Sequence, residues 1–136
     1  MLKRFSISLE KNLLEKFDKY IQKRKYTNRS ESIRDLIREV FVKEEWETDK
    51  KVFGVITFIY DHHQPKIQEK ITELQHDFYE HIVSSTHVHI DHHNCLEVVI
   101  VSGNAKNVRE LHEMIKALRG LKNANLIMSS TGSDLY

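Results

Sequence analysis

The chain has 136 residues, 40% hydrophobic and 30% charged, with one Pro, four Gly and a formal net charge of +1. That is the composition of one globular domain or two small ones, and it excludes collagen-like and mostly disordered chains. No apolar run approaches the ~18–20 residues that cross a bilayer, and MLKRFSISLE reaches Glu10 before any apolar signal core can form, so neither a membrane span nor a secretory signal is expected.

The near-zero net charge conceals an asymmetry. Residues 1–45 carry 12 Lys+Arg against 8 Asp+Glu, whereas residues 46–136 carry 9 against 12 and hold all nine histidines. A basic module followed by a slightly acidic, His-rich one implies two domains with different partners. The boundary falls in the polar stretch EEWETDKK, giving domains at 1–45 and 52–136 with a linker at 46–51. The single cysteine, Cys95, permits no intramolecular disulfide and fits a reducing cytoplasm.

Lys3–Leu9 alternates Phe5, Ile7 and Leu9 with Arg4, Ser6 and Ser8, the period of a half-buried strand. Leu13, Leu14, Phe17 and Ile21 predict a helix over Lys11–Arg24. Asn28 or Ser30 can cap a second helix, with Glu31 as capping-box partner and Ile33, Leu36, Ile37 and Val40 as its stripe. A β-α-α unit of 45 residues cannot hold a core alone, and its lone strand has no ladder partner. A homodimer that pairs two such strands antiparallel over four helices satisfies both needs.

The second module opens with the strand Val52–Tyr60. Pro65 marks a helix start, and Ile67, Ile71, Leu74, Phe78 and Ile82 carry its stripe. Strands near Ser85–Asp91 and Cys95–Ser102 flank the turn HHN. A helix over Ala105–Arg119 stops at Gly120, and a last strand fits Asn123–Ser129. The class is α+β: a dimeric β-α-α unit, then a ferredoxin-like βαββαβ (ACT-like) domain.

A two-stranded ribbon fits the DNA major groove, where outward Arg4, Ser6 and Ser8 can reach base edges. Backbone N–H groups at Asn28–Ser30, with Arg29, suit a phosphate. The same residues would equally keep an exposed strand soluble. The pattern RFSISL, a helix, then NRSESIRDLI resembles the ribbon-helix-helix DNA-binding family over residues 2–42, which implies DNA binding.

His87 and His89 lie two apart on a strand and so share a face, with Val88 and Ile90 turned the other way into the core. Cys95 opens the partner strand. Two imidazoles and a thiolate within reach of one ion suit late transition metals. The remaining histidines do not single out a fourth ligand.

LQH in the helix followed by THVHIDHHNCLEV resembles NikR, the nickel-responsive transcriptional regulator family. That resemblance implies one square-planar Ni(II) per chain, held by His87, His89 and Cys95 of one subunit and His76 from a neighbour. It implies Gln75 and Glu97 as outer partners that orient the imidazoles, and a second, harder cation site at Glu31 and Asp35. It further implies a cytoplasmic homotetramer, a dimer of dimers, that binds a palindromic operator in double-stranded DNA and represses nickel-uptake genes. Asp61, His62 and His63, with Tyr60, could add metal contacts or be a solvated strand end. His81, His92, His93 and His112 receive no role.

A copper- or cobalt-responsive regulator shares the donor set, because Cu(II) outranks Ni(II) at most N,S sites. A small-molecule-sensing regulator with the same βαββαβ domain would need no HxH…C constellation. An enzyme is not expected, since four protein ligands leave no open position for a reaction.

Overall fold

A computed structural model describes all 136 residues, which divide into two compact units, Met1–Glu39 and Val40–Tyr136. In the first unit, helix α1 (Lys11–Lys23) is followed by the start of α2 (Arg29–Glu47). Asn28 caps α2: its Oδ1 accepts the N–H of Glu31 at 2.9 Å. The Glu31 carboxylate takes the hydroxyl of Thr27 at 2.6 Å instead of reaching back to the Asn28 backbone. The Arg29 guanidinium forks onto both carboxylate oxygens of Asp18 at 2.9 Å, tying the two helices.

Residues 1–10 form no ladder within one chain. Phe5, Ile7 and Leu9 stand exposed there, as do Leu13, Leu36, Ile37 and Val40 along the helices. Strand hydrogen bonding needs a partner, and this segment has none in its own chain.

The second unit is a four-stranded antiparallel sheet in the order β2-β3-β1-β4, formed by β1 (Lys51–Asp61), β2 (Ile82–His89), β3 (Asn94–Asn104) and β4 (Leu121–Met128). Helices α3 (Ile67–Asp77) and α4 (Ala105–Lys116) complete the ferredoxin-like βαββαβ order. Alternation along β1 and β3 sends Val52, Ile56, Phe58, Tyr60, Cys95, Val99 and Val101 into the core. Ile67, Ile71 and Leu74 of α3, and Val108, Leu111 and Ile115 of α4, close that face. Gly120, at φ 101°, makes the turn from α4 into β4 in a conformation few other residues tolerate.

Three expectations change. Residues 46–51 are not a linker. Trp46, 2% exposed, sits in the core, its indole N–H donates to the Ser129 carbonyl at 2.8 Å, and Asp49 Oδ1 accepts the Lys106 N–H at 2.8 Å at the start of α4. A stretch this committed cannot act as a tether. Helix α3 ends at Asp77, and Ile82 opens β2 opposite Val101. The apolar spacing ran on past the helix because Phe78 and Ile82 pack on the same core from a turn and a strand.

Val88 and Ile90 do not enter the core. They are 43% and 51% exposed, and Val88 lies on the sheet face opposite the helices, with Val55, Val98, Ile100 and Ile127. Neither α3 nor α4 covers that face.

Gly54 lies where the sheet packs closely against α4 and Trp46. A Cβ there would stand 2.9 Å from Val108 Cγ1 and 3.2 Å from both Leu126 and Trp46. Gly54→Ala is therefore expected to lower stability by about 1–3 kcal/mol, read as a lower urea midpoint with an unchanged slope.

Candidate metal centre

The antiparallel register sets His89 opposite Cys95 and His87 opposite Glu97, all on the helix-covered face of the sheet. Because β2 is the edge strand, His87 and His89 stay exposed while Cys95 and Glu97 are buried. A thiol is thus held inside with imidazoles between it and solvent. His89 Nδ1 lies 3.5 Å from Cys95 Sγ, and the His87 and His89 rings are 4.8 Å apart.

Beneath His87 runs a buried polar chain. Glu97 Oε1 accepts the Tyr60 hydroxyl at 3.0 Å and lies 3.3 Å from His87 Nδ1, while Gln75 Nε2 donates to Glu97 Oε2 at 2.8 Å. A carboxylate at Nδ1 favours the tautomer whose Nε2 is free to ligate. Burial pushes the Tyr60 phenol up, with the Glu97 charge as the next cause, so it remains a donor. Burial also raises the Cys95 thiol, helped by the charges of Glu97, Asp91 and Asp61. The sulfur is then a poor free nucleophile, and a thiol of this kind could serve as a ligand only by exchanging its proton for a metal.

His62 also approaches the sulfur, its Nδ1 3.4 Å from Cys95 Sγ, and with His89 and Cys95 it forms a group able to hold one ion. The signal was parity. Tyr60 faces inward opposite Cys95, and His62 follows it by two residues. His87 and His76 are both outside the metal-capable groups of the chain; His76 is exposed in the last turn of α3, its ring 6.3 Å from that of Tyr79. His81 lies in the turn before β2, its Nδ1 3.3 Å from the Ser102 carbonyl, and the half-buried His112 has no partner at Nε2.

In the first unit Arg4, Ser6 and Ser8 are exposed, as are Asn28 and Ser30. Arg29, expected to offer a cation for a phosphate, forks onto Asp18, whose carboxyl that bond holds below its ordinary value. Glu31 and Asp35 line one cleft of about 310 Å3 with Tyr26, Arg34 and Arg38. Asp35 pairs with Arg38 at 3.4 Å and accepts a hydrogen bond from the Tyr26 hydroxyl.

Residues 53–129 match the profile of the NikR C-terminal nickel-binding domain, and residues 3–43 match ribbon-helix-helix proteins of the CopG family. A protein of Desulfotalea psychrophila is 61% identical over all 136 residues of both chains. One from Syntrophus aciditrophicus is 49% identical, covering 95% of this chain and 94% of the relative, and one from Thermococcus kodakarensis is 48% identical, covering 97% and 96%. All three are provisionally named nickel-responsive regulators. An uncharacterized protein of Thermotoga maritima shares the fold over 57% of this chain and 96% of its own, at 15% identity and a TM-score of 0.52.

Glu97 touches His87, Tyr60 and Gln75 at once, so its charge should govern how firmly His87 is oriented. Glu97→Gln is expected to weaken nickel binding by roughly 10–100-fold while the fold persists, as outer-ligand changes commonly do. Competition against a chelator, with circular dichroism as the control for folding, measures both.

Proposed function

The chain belongs to the nickel-responsive regulator family, a family of DNA-binding regulators and not of enzymes, and from that premise we propose that it is a nickel-dependent repressor of nickel-uptake genes. His87, His89 and Cys95 would hold the ion with His76 of the partner subunit, one Ni(II) per chain. The observation that carries this reading is the β2–β3 register, which sets His89 beside a buried sulfur and His87, on the same face, beside Glu97. Imidazoles and one thiolate form a donor set that Ni(II) accepts in a plane. An exposed His76 is free to serve another copy.

Bound nickel supplies a link between chains. The protein's share is to keep Cys95 dry, to hold the Nδ1 of His87 on Glu97, and to hold Glu97 on Tyr60 and Gln75. If the linked arrangement of subunits also suits the operator, metal affinity and DNA affinity rise together by one coupling free energy.

The open sheet face with Val88, Ile100 and Ile127 supports a further contact between copies, and the exposed apolar residues of the first unit support the ribbon dimer. Together they support a homotetramer, a dimer of dimers, on a palindromic operator in the cytoplasm. Arg4, Ser6 and Ser8 would read bases from the ribbon. Asn28 and Ser30 would present backbone N–H groups to phosphate, with Arg29 shared between phosphate and Asp18. Glu31 and Asp35 remain candidates for a second, harder cation.

A second donor set has its own support. His62, His89 and Cys95 already converge within one chain and would suit a tetrahedral ion such as zinc.

The two sets separate by mutation. Cys95→Ala and His87→Ala are each expected to abolish the thiolate-to-nickel absorption band and nickel-dependent operator binding, whereas His62→Ala keeps both and weakens zinc. The opposite pattern, with His62 needed for the nickel band and His87 dispensable, would assign the ion to the single-chain set.

On DNA, Arg4→Ala is expected to cost about 1–3 kcal/mol on the operator and little on scrambled duplex, flattening discrimination. A salt-titrated binding series on both duplexes checks this, and full discrimination retained by the variant would remove the ribbon as the reading element.

A further inference from the structure

Arg29 opens α2, yet the group that holds its side chain lies on α1. Helix α1 stops in a Schellman turn: Lys25, at φ 62°, gives its N–H to the Gln22 carbonyl at 3.1 Å, and the Tyr26 N–H reaches the Ile21 carbonyl at 3.1 Å. The chain doubles back from there, and Asp18 receives Arg29 through two parallel bonds of 2.9 Å, one from Nε and one from Nη2. Glu31, the acid beside Arg29 in sequence, takes the Thr27 hydroxyl instead.

Which edge of the guanidinium is engaged decides what the pair can do. A guanidinium has five N–H donors in one plane, with a side edge formed by Nε and Nη2 and a terminal edge formed by the two Nη atoms. A carboxylate forked onto the terminal edge would fill the place a phosphate needs. Asp18 takes the side edge, which leaves both N–H groups of Nη1 and one of Nη2 without an acceptor in the chain. The backbone N–H groups of Arg29 and Ser30, in the same helical turn, have no acceptor either. A terminal edge left open and held in a fixed plane is the half of a fork–fork pair that phosphate oxygens complete. The Asp18 charge also repels a phosphate. Both side chains are open to solvent, 57% for Arg29 and 44% for Asp18, so water and salt screen that longer-range repulsion more than they weaken a direct guanidinium–phosphate fork.

We infer that Asp18 is a positioning residue for DNA, holding the Arg29 guanidinium side-on so that its terminal edge is set in advance for one phosphate of the duplex backbone. The inference rests on the DNA-binding reading above and adds to it a residue that itself touches no nucleic acid. A free arginine gives up rotamer freedom when it meets phosphate, whereas this one is already ordered by Asp18. Because the contact is to backbone, Asp18 raises affinity without favouring any sequence.

The sign of one substitution tests this role. Removing an acid from a DNA-binding unit ordinarily tightens binding, because the net positive charge rises. Asp18→Asn in the full-length protein with Ni(II) is expected instead to bind a random-sequence duplex at least ~3-fold more weakly, the ordering cost of one long side chain, and to lower the salt slope toward that of Arg29→Ala. Asp18→Glu, which keeps both acceptor oxygens, should recover most of the loss. Added to Arg29→Ala, Asp18→Asn should cause no further weakening, because the acid acts only through that guanidinium. All variants are compared at a temperature where circular dichroism melts show each to be folded. Asp18→Asn that binds as tightly as the unaltered chain or tighter, or that weakens binding equally when Arg29 is absent, overturns the positioning role. An unaltered protein that binds no duplex even at low salt overturns the DNA reading and this role with it, whereas normal binding with an indifferent Asp18 overturns this role alone.

Discussion

The two strand imidazoles of the candidate metal centre depend on one antiparallel register. With His89 opposite Cys95 and His87 opposite Glu97, each imidazole stands beside the group that completes it. A slip of one residue would turn both histidines to the far face of the sheet and leave sulfur and carboxylate buried without them. The hairpin guards against that slip. Asp91 gathers the N–H groups of His93 and Asn94 and the Asn94 side-chain amide, and those bonds hold its carboxyl down at about 2. His87, His89, Cys95 and Glu97 are therefore placed by backbone pairing alone, and an ion bound there would meet a low ordering cost.

The chain also leaves apolar surface open in both of its units. In the first, the alternating residues of the N-terminal segment and the stripe on α2 face solvent; in the second, a whole sheet face does. At ~25 cal/mol per Å2, leaving such surfaces wet forfeits a large share of the stabilisation available to so small a protein. The segment at residues 1–10 gives the clearest sign, because its side chains alternate like a strand while its backbone groups find no ladder. A single chain is not where this fold is completed.

Much of this was legible in the sequence. Helices α1 and α4 begin where their apolar stripes begin, and the strand pattern gives the βαββαβ order, because period and local composition are properties of neighbouring residues. The failures share a different cause. Trp46 looked like part of a polar tether because its charged neighbours hide one large side chain that the core claims. The α3 stripe ran too long because the same core is served from a helix, a turn and a strand in succession. Val88 and Ile90 were assigned inward because alternation distinguishes two faces without saying which one the helices cover. At the metal centre, HxH and Cys were visible as a spacing, whereas the approach of His62 to the sulfur needed the β1–β3 register.

The burial of Trp46 has a practical corollary. It is the only tryptophan in the chain, sealed to 2% exposure, with its N–H bonded to Ser129 and the Arg109 guanidinium 5.9 Å from its ring. Its fluorescence is thus an intrinsic beacon for the sheet-bearing unit, emitting as a shielded indole while that core is closed and shifting to the red when water enters. The first unit contains no tryptophan, and its tyrosines, Tyr20 and Tyr26, are dark at wavelengths that excite tryptophan alone. One optical channel can therefore follow the opening of one half of the molecule without interference from the other.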